Sequence, residues 1–316
     1  MARRTLAPCK ARIPGRERFD VAFVLTKEIL PEMAGTVEPE RRATAIVPTR
    51  NRPDSLRRCL DALDRQEDVP DLDVVVVDDG SVDGAAAADA VTRSRRARLV
   101  RLDEPHGPAA ARNRGAGETT ARFLLFTDDD CEAAPRWAAE MTAALEKGAA
   151  VVAGLTTNGS PGDRIASASE TILAYVQHRA RTETSTAFAA TNNLACAAHV
   201  LAQVPFDEGY RYGEDRDWCA RVRAEGYAVR VVPEARVAHR QKLGLSSFLR
   251  QQFGYGRGAY LFRHRHCRIG RFERPSFYMG LLRGGFSNGI LAGVLVGIAQ
   301  AATAAGFVWE AISRRR

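Results

Sequence analysis

The chain has 316 residues, 45% hydrophobic and 27% charged, with 46 Lys and Arg against 38 Asp and Glu. Those proportions exclude wholesale disorder and leave ample core for one large domain or two modest ones. The net charge of +8 predicts an anionic partner, whether nucleic acid, acidic lipid or a phosphorylated substrate.

Residues 1–42 read as a basic extension carrying Arg3, Arg4, Lys10, Arg12, Arg16 and Arg18. Its apolar patch Phe23-Val24-Leu25 is interrupted by Asp20 and Lys27, unlike the continuous apolar run of a signal peptide. The first clear strand is Ala43 to Pro48, closed by Thr49-Arg50-Asn51-Arg52-Pro53. Pro53-Asp54-Ser55 then starts a helix whose Leu56, Leu60 and Leu63 fall at helical spacing. A second strand, Leu72 to Val77, is apolar apart from Asp73, as suits a parallel strand buried on both faces. It ends in Asp78-Asp79-Gly80-Ser81-Val82-Asp83-Gly84, a tight turn before a helix over Ala85 to Thr92. Arg98 to Leu102 is a third strand, and His106-Gly107-Pro108 opens a helix carrying Arg112, Asn113 and Arg114. Phe123 to Phe126 is the fourth strand. Strand and helix alternate four times, which predicts βαβ units and an α/β fold with a mostly parallel sheet flanked by helices.

The fourth strand runs directly into Asp128-Asp129-Asp130. Three like charges in a row repel, and a fold keeps them together when a cation neutralises them. In a parallel sheet this cluster and Asp78/Asp79 share one edge, where such folds bind ligands. There is no GxGxxG after the first strand and no GxxxxGK[ST] anywhere, so the common dinucleotide and P-loop readings fail. The six cysteines, Cys9, Cys59, Cys131, Cys196, Cys219 and Cys267, have neither CxxC nor zinc-like spacing and read as reduced thiols.

Beyond the cluster, Trp137 to Lys147 reads as helix, Ala149 to Leu155 as strand and Ile165–His178 as helix. Phe188 to Cys196 reads as a strand with Asn192 and Asn193 at its centre. Gly213-Glu214-Asp215-Arg216-Asp217-Trp218 opens a helix with acids where its amino-terminal dipole favours them. Val229 to Val232 is a further strand, and His239 closes the segment.

Four stretches, Val47 to Arg52, Val77 to Asp83, Thr127 to Asp130 and Gly213 to Trp218, occur in the order seen in family 2 glycosyltransferases. The resemblance covers roughly residues 43–240. It implies a GT-A fold, a Rossmann-like nucleotide-diphospho-sugar transferase, and inverting transfer from a nucleotide-diphosphate donor. By that resemblance Asp79 would meet the nucleoside base and Asp128 the ribose. Pro48, Thr49, Arg50 and Arg112 would line the nucleotide pocket. Asp130, with Asp129 the alternative, would bind Mg²⁺ or Mn²⁺ through the DxD motif, and His239 falls where some relatives present a histidine to the metal or diphosphate. Asp215 matches the catalytic base. The resemblance divides the chain into a nucleotide half over about 43–135 and an acceptor half over about 136–240.

The chemistry agrees. An acceptor hydroxyl must lose a proton as it attacks the anomeric carbon, which needs a carboxylate within hydrogen-bond reach. The leaving nucleoside diphosphate gains charge that a divalent ion on hard oxygen ligands can stabilise. Asn192, Asn193 and Glu214 are candidate contacts to sugar hydroxyls, and Trp218 a candidate stacking surface; buried structural roles compete for each of these side chains.

Residues 241–316 form a third region. Arg250, Arg257, Arg263, His264, Arg265, His266, Arg268, Arg271 and Arg274 make a basic belt interleaved with Phe253, Tyr255, Tyr260 and Phe262. No charge appears from Gly284 to Trp309, and Gly289, Gly293 and Gly297 stand four residues apart, a spacing that lets helices approach closely. A helix of that length could span a bilayer or lie in its plane. Beside it, the belt suits anionic headgroups or a lipid-linked acceptor better than nucleic acid. The expectation is a membrane-associated enzyme at the cytoplasmic face, peripheral or held by a single C-terminal span. Its partners would be a nucleotide sugar and a glycan or lipid-linked acceptor, a role fitting cell-envelope polysaccharide biosynthesis. The rivals are a sugar-1-phosphate nucleotidyltransferase, whose Gly-rich loop is missing after the first strand, and a non-catalytic nucleotide- or nucleic-acid-binding protein, which has no use for three acidic sites.

Overall fold

The computed structural model describes residues 42–69, 71–266 and 273–314. The basic extension up to residue 41, Cys9, Cys267, Arg268, Arg271, Arg315 and Arg316 lie outside the described residues. Four strands, β1 (Ala43–Thr49), β2 (Leu72–Asp79), β3 (Ala97–Leu102) and β4 (Phe123–Phe126), run parallel. Val74 to Val77 are all fully buried, so β-branched side chains fill both faces of β2 as a doubly covered strand requires. Between them run α1 (Pro53–Asp64), α2 (Gly84–Thr92) and α3 (Pro108–Gly117). Pro53 and Pro108 sit in the first turns of their helices, where no N–H is needed.

The second half makes the sheet mixed. After β5 (Cys131–Ala133) and α4 (Trp137–Glu146) come β6 (Val151–Asn158), α5 (Arg164–Ala180), β7 (Ser185–Thr186), β8 (Leu194–Ala197), α6 (Ala198–Gln203), α7 (Glu214–Ala224) and β9 (Val229–His239). The strand order is β3-β2-β1-β4-β8-β6-β9-β5, with β7 on β9. β8 is antiparallel to both β4 and β6, whereas β6 and β9 are parallel. The carboxyl ends of β1, β2, β4, β6 and β9 therefore reach one edge, together with the residues that enter β8.

Two sequence expectations change here. Phe188 to Cys196 is not one strand: Thr191–Asn193 form a 3₁₀ turn and only Leu194–Ala197 join the sheet. The turn is held from outside the ladder, since Asn193 accepts from the Trp137 indole (2.9 Å) and donates to the Ala235 carbonyl (3.1 Å). β9 is also far longer than Val229–Val232, because β5 pairs with its far end.

Among the described residues three further helices follow: α8 (Leu245–Arg265), α9 (Pro275–Ser287) and α10 (Ile290–Ser313). The uncharged stretch is not one helix. Asn288 and Gly289 turn the chain, with Gly289 at φ 111°, a conformation that favours glycine. α8 and α10 pack closely through Gly256 and Gly306 rather than through the glycine triplet. A Cβ on either would come within 1.9 Å of a backbone carbonyl of the other helix. Ala168, Phe248, Leu281, Leu295, Val296 and Ala299 form a second core joining α5, α8, α9 and α10.

The basic belt is partly consumed inside the protein. Arg257 pairs with Glu310 at 2.7 Å, His266 with Asp217 at 3.0 Å, and Arg265 with Asp207. Ile290–Ser313 is, among the described residues, the one helix long and apolar enough to cross a membrane. One of its faces packs on α8 while Ile290, Val294, Ile298, Val308, Trp309 and Ile312 are exposed.

Candidate active site

β1 and β2 end in register, Thr49 beside Asp78. Asp78 is fully buried; its carboxylate accepts from the Ser81 N–H (3.0 Å) and lies 3.4 Å from Arg101. Gly80 turns the chain at φ 66°, and a Cβ there would meet the Glu104 carbonyl carbon at 2.7 Å. Asp79 consequently faces the other way, accepting the backbone N–H groups of His106 (2.7 Å) and Gly107 (2.9 Å). The two strand-end loops are cross-braced. Ser81 Oγ accepts from the Asn51 N–H, and Asn51 Oδ1 from the Val82 N–H, each at 2.8 Å.

The three consecutive acids part company. Asp128 pairs with Arg112 at 2.7 Å. Asp129 points inward, wholly buried; it accepts from the Thr49 hydroxyl at 2.7 Å and forms an ion pair with Arg52 at 2.7 Å. Burial lifts its carboxyl to about 7 against the pull of Arg52. Asp130 is held by Arg52 at 2.8 Å and by His239 Nε2 at 3.3 Å. The β5–β9 pairing explains that meeting, since Cys131 is the register partner of His239. Behind the imidazole, Glu170 of α5 contacts Nδ1. Against the effect of burial, hydrogen bonds to Asp130 and Glu170 push His239 up to about 10. Burial is likewise outweighed at Asp130, which His239 and Arg52 hold below its ordinary value.

Asp130, Cys131 and His239 bring three potential metal-ligating atoms within 4.8 Å of one another. Burial and neighbouring carboxylates raise the Cys131 thiol well above its usual value, so it stays protonated and is a poor ligand for a hard cation. Asp130 and His239 remain, an oxygen and a nitrogen donor on the cavity wall. A carboxylate behind the histidine is the arrangement that orients metal-binding imidazoles. The donor set fits a divalent ion.

Gly213 (φ 78°) precedes α7, whose first residues are Glu214 and Asp215. Arg112, 2% exposed, reaches Glu214 at 2.8 Å with one nitrogen while another holds Asp128. It thus ties α7 to the end of β4. Among the described residues, Asp215 accepts only its neighbour's N–H, that of Arg216, at 2.7 Å. Burial first, and the Glu214 charge second, lift its carboxyl to about 7, a value suited to proton transfer near neutral pH.

These groups surround a cavity of about 950 Å³ lined by Pro48, Thr49, Arg50, Asp79, Arg112, Asp128, Asp130, Asn192, Glu214, Asp215 and His239, among others. Eleven of the fourteen site residues expected from sequence therefore share one space. The other three do not line it. Asp129 lies beneath its floor, Asn193 is spent on Trp137 and Ala235, and Trp218 is core, donating to the Val204 carbonyl and stacking on Phe206. The sugar contacts expected of Asn193 and Trp218 are withdrawn on that placement. Sequence reasoning passed over Arg52 as a partner of the acids, although it lies in a quoted motif. It also passed over Glu170, one acid on a helix with no local signal of burial, and over Gln241, Gln251 and Tyr255, which line the cavity.

The glycosyl transferase family 2 model matches residues 44–202. The pre-mycofactocin glycosyltransferase of Mycobacterium tuberculosis is 27% identical over 267 residues, 79% of this chain and 54% of that protein. The succinoglycan biosynthesis protein ExoO of Rhizobium meliloti is 30% identical over 204 residues, 61% of this chain and 58% of that one. The chain spans about half the length of these curated relatives. Among solved structures, the mannosyltransferase PcManGT of Pyrobaculum calidifontis, in complex with GDP-Man and Mn²⁺, has a TM-score of 0.54 at 20% identity, covering 83% of this chain and 73% of its own. The 1–349 portion of Staphylococcus aureus TarS, in complex with UDP, has a TM-score of 0.50 at 15% identity, covering 87% and 91%. At those identities the structures speak for a shared GT-A fold alone. The sheet, the ring of carboxylates and the family match lead to one conclusion: this chain belongs to glycosyl transferase family 2.

Proposed function

We propose that the protein transfers a sugar, with inversion, from a nucleoside-diphosphate donor to an acceptor hydroxyl at a membrane surface. The observation that carries the proposal is the convergence of Asp79, Asp128, Asp130 and Asp215 on one cavity. Asp79, fixed by two backbone N–H groups, keeps outward lone pairs for a base N–H, and Asp128 is set to accept ribose hydroxyls. Asp215 takes the acceptor proton as that oxygen attacks the anomeric carbon and the sugar–phosphate bond breaks. Asp130 and His239 would hold a divalent cation, Mg²⁺ or Mn²⁺, which when bound offsets charge on the departing diphosphate. Arg52 and the Asp130–His239 pair keep that wall organised before donor arrives.

The membrane part rests on α10. Its outer face is apolar, and Lys242, Arg250, Arg274 and Arg283 are exposed on α8, α9 and the turns beside them. Its inner face packs on α8 and carries the Arg257–Glu310 ion pair. That packing favours a helix lying in the interface plane over one crossing the bilayer, at the cytoplasmic face, where nucleotide sugars reside. The test is nucleoside diphosphate release from UDP-, GDP- and dTDP-sugars with Mn²⁺, with and without a lipid extract. Release that lipid stimulates and EDTA abolishes is expected; no release from any donor would overturn the proposal.

A further inference from the structure

The cavity is lined by apolar side chains as well as by the acids. From α5, α9 and α10 it is lined by Ile172, Val176, Phe277, Leu281 and Phe307, of which Ile172, Phe277 and Leu281 pack in one cluster. Two glutamines line the same cavity. Gln241, 7% exposed and two residues beyond His239, and Gln251 on α8 each have a buried side-chain carbonyl oxygen without a hydrogen-bond partner among the described residues. A buried acceptor left without a donor is costly, so these oxygens mark where a ligand's hydroxyl groups would donate. α10 presents Gln300, Thr303, Ala304 and Phe307 to the cavity and Ile290, Val294, Ile298 and Trp309 to the outside. One helix thus contributes both to the cavity lining and to the face we assign to the membrane.

We propose that the chamber holds the hydrocarbon chain of a lipid-linked acceptor, whose sugar or phosphate head meets Gln241 and Gln251 beside Asp215. This rests on the proposed sugar transfer and names its acceptor class. The chain would lie along Ile172, Val176, Phe277 and Leu281, while Arg263 and Glu273, which line the same cavity, would face its polar head. Each buried methylene adds to binding, so affinity rises with chain length until the chamber is full. A freely soluble glycan has no use for such a wall, and its buried apolar area would be wetted in every turnover.

The test uses the full-length protein and a dansyl-labelled undecanoic acid, with displacement by butyl, octyl and dodecyl phosphate. We expect saturable probe binding, and displacement that strengthens at least tenfold from butyl to dodecyl. Val176→Gln and Phe277→Gln, each checked for folding by circular dichroism and melting temperature, should weaken probe binding tenfold or more. Ile298→Gln, on the outer face of α10, should leave it unchanged. Loss of binding in Ile298→Gln with none in the chamber variants would place the chain on the outer face and overturn the inference. Displacement by naphthalene sulfonate but not by dodecyl phosphate would do so too, pointing to a compact aglycone. UDP and GDP binding with Mn²⁺, measured on the same protein, separates the two claims. Nucleotide binding without probe binding sinks the chamber alone, whereas absence of nucleotide binding sinks the sugar-transfer reading.

Discussion

Replacing Asp215 by Asn removes the group assigned to proton abstraction and, on the same geometry, should make the protein more stable. Loss of a general base typically costs about 10²–10⁴ in rate, so nucleoside diphosphate release should fall by at least 100-fold while donor binding persists. The stability effect follows from the carboxyl being raised from 3.8 to about 7 by burial and by Glu214. Between those two values the folded protein binds more protons than the unfolded chain, so stability falls as pH rises through this window. At about 1.4 kcal/mol per pKa unit, the ionised carboxylate costs at most about 4 kcal/mol above pH 7. An Asn amide still needs hydrogen-bond partners there, which takes back roughly 1–3 kcal/mol. A gain of about 1–2 kcal/mol corresponds to roughly 2–6 °C in Tm for a chain of this size. Differential scanning fluorimetry in EDTA should show that gain at pH 8, and a smaller one at pH 5, where the native carboxyl is already protonated. A variant less stable than wild type at pH 8, or one that retains turnover, would refute the assignment; Glu214 and Asp217 would be the next bases to test.

Further outcomes follow from other contacts. Glu170→Gln should lower Mn²⁺ affinity about 10–100-fold by releasing the His239 ring, and wild-type affinity should rise from pH 6 to 8, because an imidazole pushed up to about 10 must lose its proton to bind metal; isothermal titration calorimetry in two buffers reads both effects. Arg112→Met leaves Asp128 and Glu214 without their shared cation and should cost about 3–5 kcal/mol of stability, measured by urea unfolding. Ile298→Asp combined with Trp309→Ser should abolish flotation with anionic vesicles while preserving the melting transition. Removing residues 277–316 is a poorer test, since it strips Leu281, Val296 and Ala299 from the core around Phe248.

The first four strands were legible because their signals are local. A valine run and turns rich in Gly, Pro and Asp announce β2 and its neighbours, and a parallel sheet then forces Asp78/Asp79 and Asp128–Asp130 onto one edge. His239 was visible only by resemblance, because its meeting with Asp130 depends on antiparallel pairing between β5 and β9, more than a hundred residues apart in sequence. Division of labour among three identical neighbours was equally hidden. The Thr49 hydroxyl draws Asp129 inward, while Arg52 contacts both acids. Asn193 and Trp218 misled for the converse reason. Amides and indoles bind sugars and satisfy cores with the same groups, and only the packing shows which is at hand. The C-terminal helices were read as apolar, but their division at Asn288–Gly289 and the closure of α8 on α10 rest on tertiary contacts that composition does not encode.

The central claim, that one cavity holds a nucleotide sugar and inverts it with Asp215 as base, is tested most directly by following the anomeric proton. The donor that shows nucleoside diphosphate release is incubated with wild-type protein, Mn²⁺ and water as the acceptor, and the sugar is observed by ¹H NMR before it mutarotates. An α-configured donor should yield β-sugar first, and Asp215→Asn should yield none at a comparable rate. Initial release of α-sugar, or β-sugar formed equally fast by Asp215→Asn, would contradict the account.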